Sequence, residues 1–130
     1  MTISRRTVLL GATASAALLP IAARADTKEV VIGVLYPLSG SSAQIGVDGK
    51  HAFETAQDII NNKYDFDLPL ARDAGLPGLG GAKIRLVFAD HQADPQKGRA
   101  EAERLITQEK VCAIVVTYQS AVAVTVSQVC

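Results

Sequence analysis

Ser120 ends the short loop that follows an apolar, β-branched run and starts a helical pattern, so its hydroxyl and the nearby N–H groups can receive a carboxylate. The plain alternative is a Ser helix cap, worth roughly 1 kcal/mol, and one serine can do both. Tyr118 in the same loop either covers a ligand with its ring or packs on the following helix. Ser41 and Ser42 follow an earlier apolar run in the same way, as donors to a ligand or as helix caps. Gln44 and Gln119 are further polar candidates. Asp90, His91 and Asp94 are residue types that bind metals, but no second His lies near them. Asp94 fits a capping role, and the spacing matches no metal motif, so no metal ligand is assigned. No catalytic residue is assigned either: a hydrolase needs a nucleophile with a His base, and His91 is the single His on these loops. The glycine run Gly78-Leu79-Gly80-Gly81 precedes a strand where a dinucleotide fingerprint would follow one, so no cofactor is expected.

The elements that position these residues are organised around residues 30–46, VVIGVLYPLSGSSAQIG. Its first part is a near-continuous apolar run that reads as a strand buried on both faces, the central strand of a parallel sheet. That strand is expected over 29–36, and a small-residue loop then leads into a helix ending near Asn61-Asn62. Phe53, Ala56, Ile59 and Ile60 form its inner stripe, with Lys50, Glu54, Gln57 and Asp58 outside. Residues 64–81 have no sustained period and many Gly and Pro, so they form a surface excursion. A second strand is expected over 82–89. Asp94 caps the helix that follows, with Pro95 in its first turn, where no N–H is needed. Ala102, Leu105, Ile106 and Ala100 supply the buried stripe of that helix. A third strand spans 111–116. Residues 121–130 alternate like a strand, but the β-α rhythm favours a helix. The fold class is therefore α/β, a parallel β-α-β-α-β-α sheet with right-handed crossovers. Loops 37–46, 90–94 and 117–120 share the edge where such sheets bind ligands.

Ahead of this unit, Ser4-Arg5-Arg6-Thr7-Val8-Leu9-Leu10 is similar to a twin-arginine export signal, with Val8 where Phe is usual and Leu10 where Lys is usual. The apolar stretch behind it is too short and diluted for a membrane span, which needs about 20 strongly apolar residues. Ala23-Arg24-Ala25 fits the small-x-small rule, so cleavage is expected after Ala25, by the twin-arginine or the ordinary secretory route. Residues 1–25 are then a signal peptide and 26–130 the ligand-binding part. The whole chain has 13 basic and 13 acidic residues. Removing Arg5, Arg6 and Arg24 leaves 13 − 3 = 10 basic against 13 acidic, net −3. That gives no electrostatic reason to expect nucleic acid or an anionic membrane as partner. Export permits a Cys112–Cys130 disulfide, but helix and sheet axes lie about 10 Å apart and a bridge needs Cα atoms within about 7 Å.

The stretches IGVLYPLSG, Gly81-Ala82-Lys83-Ile84 with VFADHQADP, AEAERLI and TYQSAVA resemble the type I periplasmic solute-binding proteins, in particular the leucine/isoleucine/valine-binding family of ABC transporters. The resemblance covers essentially all of residues 29–130. It implies a two-lobed, non-enzymatic periplasmic receptor that closes on a small molecule, an amino acid or similar carboxylate or amide, and delivers it to a membrane permease. It implies that this chain is the first part of such a protein, its first lobe incomplete, with half of the cleft contributed by the remainder. It assigns Ser120 to the α-carboxylate of an amino acid. Ile45 falls where some leucine-binding relatives carry an aromatic ring against the ligand, which argues against a strict branched-chain preference. In some relatives a cysteine pair ties the positions of Ala93 and Gln119, and this chain has neither cysteine.

Other roles compete. A sensor of amides or amino acids would keep the same fold. A receiver domain needs acids after its first strand and an Asp after its third, where this chain has Tyr36-Pro37 and Thr117. An inactive fragment is the remaining alternative. Residues 26–130 alone are expected to bind the family's ligand poorly and to expose the third strand as an apolar edge.

Overall fold

The computed structural model describes residues 28–130. The expected export segment and its cleavage after Ala25 lie outside the described residues. Residues Glu29–Tyr36 form β1, the central strand of a parallel sheet in the order β2-β1-β3, with β2 at Lys83–Asp90 and β3 at Ala113–Val116. The register sets Tyr36 beside Asp90 and Leu35 beside Val116, so all three strands end level and release their loops along one edge.

The helices are α1 (Ala43–Asn61), α2 (Pro95–Thr107) and α3 (Ser120–Val126). Side-chain alternation divides β1 between two layers. Leu35 joins Leu105, Ala102, Val122 and Val126 in a closed core beneath α2 and α3. Each large apolar side chain buried there contributes about 1.5–3 kcal/mol. On the other face Tyr36 meets Phe53 of α1 edge to face, ring centres 5.4 Å apart. Gly98 lets α2 and α3 touch: a Cβ there would lie 2.4 Å from Val122 Cγ1.

Asp94 caps α2, its Oδ1 accepting the Gln96 and Lys97 N–H groups at 2.7 and 3.0 Å, and Pro95 takes the first position. Several boundaries and faces differ from expectation. β2 runs one residue later at both ends than the expected 82–89. β3 starts at Ala113 rather than residue 111, because Lys110 turns left-handed (φ 55°) and the Val111 N–H bonds back to Leu105 O. Ala100 is exposed, and Gly98 holds the inward position instead. Gln57 turns inward, donating to Ile84 O at 2.8 Å, and Asn61 donates to the same oxygen at 2.7 Å. α1 packs mainly over β2, which leaves Val115 of β3 at 37% exposure and Ala56 open beside it.

Residues 121–126 are helical, which resolves their ambiguous alternation. Excursion 64–81 carries a short 3-10 turn, Pro77–Leu79, and an isolated antiparallel bridge from Leu76 to Ala82 before β2. Cys112 and Cys130 are free and exposed, although both line one shallow apolar depression beside Val111 and Val129. Among the described residues, no helix is long and apolar enough to cross a membrane.

Candidate functional site

The strand-end edge is assembled by two consecutive residues at the end of β2. Asp90 reaches toward the first loop. Its Oδ1 accepts the Leu38 N–H at 2.8 Å and the Gln92 N–H at 2.9 Å, and its Oδ2 accepts the Ser39 hydroxyl at 2.5 Å. Burial works against the carboxylate charge, but the Ser39 hydroxyl and the Gln92, Leu38 and Ser39 N–H groups outweigh it and hold the carboxyl below its ordinary range. His91 reaches the other way, into the third loop. Its ring is fully buried, with Nε2 2.8 Å from Thr117 Oγ1. Loops 37–46, 90–94 and 117–120 are therefore bound to one another by side chains as well as by the sheet.

The first loop folds back over the start of α1, so closely that a Cβ on Gly46 would lie 1.9 Å from Pro37 O. A 3-10 turn, Gly40–Ser42, then carries Ser41 and Ser42 into the helix. Ser42 occupies the N-cap position of α1 without a capping hydrogen bond from its side chain, so the expected cap is present in place but not in chemistry. Ser41 is exposed and Ser42 half-buried. Ile45, in the first turn of α1, is 48% exposed, while Gln44 donates to Asp48 within the same helix.

The third loop presents Tyr118 with half of its surface in solvent, so its ring is not packed away against α3. Gln119, not Ser120, is the N-cap of α3. Ser120 is exposed in the first turn, and its hydroxyl has no hydrogen-bond partner among the described residues. The plain cap expected of Ser120 is thus corrected. With seven residues α3 adds little dipole, so the side chain itself is what this position offers. The carbonyl oxygen Oε1 of Gln119 is buried without a partner among the described residues, an unused acceptor at the same edge.

Ser41, Ser42, Ile45, Tyr118 and Ser120 therefore all lie on the two loops flanking this edge. Sequence reading placed them there but missed the part played by Asp90 and His91. Their signal was a polar pair at the end of an apolar strand, visible only as a discarded metal pattern. Both aspartates of that pattern hold backbone N–H groups instead. A surface depression of about 480 Å³ lies elsewhere, among Lys63, Tyr64 and Arg72 at the opposite end of α1.

The comparisons agree with this architecture. The family described as "Periplasmic binding protein" matches residues 29–130. The chain is 36% identical over 122 residues to Leu/Ile/Val-binding protein homolog 8 of Brucella suis biovar 1, covering 94% of this chain and 27% of that protein. A possible leucine/isoleucine/valine-binding protein of Rhodopirellula baltica superposes with a TM-score of 0.64 at 22% identity, covering 82% of this chain and 26% of that one. The branched-chain amino acid transporter substrate-binding protein LivJ of Streptococcus pneumoniae, solved in complex with isoleucine, gives a TM-score of 0.59 at 25% identity, over 76% of this chain and 25% of that one. The chain spans about a quarter of the length of these relatives. Matched by the family from Glu29 onward, and sharing the parallel sheet and strand-end loops of type I solute-binding proteins, this chain belongs to the periplasmic binding protein family.

Proposed function

We propose that this chain supplies part of the extracytoplasmic substrate-binding component of an ABC transporter, a protein that takes up an amino acid or a related small carboxylate and passes it to a membrane permease. One observation carries the reading: three strand-end loops are hydrogen-bonded to one another while the Ser120 hydroxyl on them has no partner among the described residues. In this reading Ser120 donates to the ligand carboxylate. Ser41 and Ser42 supply further polar contacts, and Tyr118 and Ile45 flank the apolar body of the ligand. Family membership supports a binding role over catalysis, and LivJ, solved in complex with isoleucine, supports the ligand class. A Rhodopseudomonas palustris relative solved with 3,4-dihydroxybenzoic acid extends that class to aromatic carboxylates. Residues 1–25 act as the export signal, cleaved after Ala25, and deliver the protein to the periplasm.

The test is calorimetric titration of the intact exported protein with isoleucine, leucine, valine and 3,4-dihydroxybenzoate. Saturable binding of at least one, lost when the carboxylate is amidated, is the expected result. Absence of binding across the panel would overturn the reading.

A further inference from the structure

Cys112 and Cys130 are free and exposed in this structure, yet they are placed together. Both line one apolar depression of about 260 Å³, with Ile106, Ile114 and the two residues that precede them, Val111 and Val129. Val111 and Val129 pack against the same buried cluster, which includes Leu35, Leu105, Val122 and Val126. Each cysteine therefore follows directly on a valine anchored at one place in the core.

The spacing of helix and sheet axes, which argues against a bridge, does not apply to Cys130. α3 ends at Val126 and the chain then turns, the Gln128 N–H bonding to Thr125 O at 3.4 Å and the Val129 N–H to Val126 O at 3.0 Å. Cys130 lies beyond these bonds. Its own backbone makes no hydrogen bond among the described residues, so it can close on Cys112 without breaking one. Cys112 is held by the sheet: its N–H donates to Val31 O at 2.9 Å, next to the first paired residue of β3. A fixed thiol and a thiol on an adjustable turn share one depression, and the turn can supply the Cα approach of about 7 Å that a disulfide needs.

We propose that Cys112 and Cys130 are an oxidisable pair that closes into an intramolecular disulfide once the protein leaves the cytoplasm. The pairing stands on the geometry above; the oxidising setting rests on the export proposed for this chain. The ring so formed encloses β3, the third loop and α3, the unit that presents Tyr118 and Ser120, and it restricts that unit in the unfolded chain. The reaction is thiol–disulfide exchange with an external disulfide. The thiolate of one cysteine attacks a sulfur of that reagent, whose S–S bond breaks and releases one thiol. The thiolate of the second cysteine then attacks the protein sulfur of the mixed disulfide. The Sγ–Sγ bond forms and the second reagent thiol leaves. Two cysteines are oxidised, one external disulfide is reduced, and the two cysteine protons end on the departing thiols.

The test uses the intact protein, reduced and then exposed to oxidised glutathione at neutral pH. Iodoacetamide is added under denaturing conditions, and the digest is analysed by mass. No Lys or Arg lies between Val111 and Cys130, so trypsin leaves both cysteines on one peptide beginning at Val111. That peptide should be about 2 Da lighter than its reduced form and carry no alkyl group. Chymotrypsin, cutting after Tyr118, should give two peptides that stay joined until they are reduced. Cys130→Ser should instead retain a single glutathione on Cys112. Alkylation of both cysteines, glutathione on both, or a link between two copies would each overturn the proposal. Protein recovered from its host separates the pairing from the export reading. A bridge made by glutathione, with free thiols in the host protein, upholds the pairing and counts against export. Free thiols after glutathione treatment overturn the pairing, whatever the route of export.

Discussion

The Asp90 carboxylate accepts the Leu38 N–H at 2.8 Å, joining the end of β2 to a loop 52 residues earlier in the chain. The same oxygen accepts the Gln92 N–H, so one atom fixes both the first ligand-edge loop and the turn beside it. Removing the acceptor strands two donors at once. Asp90→Ala should therefore destabilise the protein by about 1–3 kcal/mol, and Asp90→Asn, which keeps an acceptor oxygen, by less. The pH dependence follows from linkage. The folded-state carboxyl titrates below its ordinary value, so its stabilisation is present above roughly pH 4 and is lost as pH falls through the lower, folded-state value. Urea melts of the unmodified protein should show this acid loss, and Asp90→Asn should flatten it.

Ser120 separates folding from function. Its hydroxyl is exposed and has no partner among the described residues, so Ser120→Ala should change stability by less than about 0.5 kcal/mol. A hydroxyl that donates to a ligand carboxylate should cost about tenfold in affinity when removed, or about 1.4 kcal/mol. Calorimetric titration of the variant with a ligand that the unmodified protein binds checks this. Unchanged affinity would remove Ser120 from the site.

How far the sequence revealed this architecture depended on how local each signal was. The bounds of β1 were legible because a near-continuous β-branched run reads as a strand, although only Gly33, Val34 and Leu35 are fully buried and Val30, Val31 and Ile32 are half-buried. The start of α2 was legible because Asp94-Pro95 carries its own capping chemistry. Gln57 was misplaced because helical periodicity sorts residues by polarity, and a glutamine that reaches a strand carbonyl looks like a solvated one. The start of α3 was placed within one residue, yet that residue decides whether Ser120 is a cap or an unengaged hydroxyl. Asp90 and His91 were the hardest to read. Their partners lie 52, 51 and 26 positions away, and no local pattern encodes a contact of that range.

Gly46 tests whether the first loop needs its tight return. A Cβ there would sit 1.9 Å from a backbone oxygen, which cannot rotate away as a side chain can. Gly46→Ala should gain about 1 kcal/mol of helix propensity but lose more by displacing Pro37, for a net loss of about 1–2 kcal/mol. The displaced loop should also weaken the Asp90–Leu38 bond. The Leu38 amide is therefore expected to exchange faster in the variant, measured at a pH where the fold is intact.

Gly98 offers a sharper test, because one partner side chain decides the sign of the effect. In an unobstructed helix, Gly→Ala stabilises by about 1 kcal/mol. Here the new methyl would meet Val122 Cγ1 at 2.4 Å, and Val122 is stiff at χ1 and 1% exposed, with no space to yield. Overpacking of about 1–3 kcal/mol should outweigh the propensity gain, so Gly98→Ala alone should destabilise by up to about 2 kcal/mol. In a Val122→Ala background the obstruction is gone, and the same substitution should become stabilising. Chemical denaturation of the four proteins in this double-mutant cycle would measure a coupling of about 1–3 kcal/mol. A Gly98→Ala effect of the same sign in both backgrounds would show that α2 and α3 do not approach each other as closely as the fold requires.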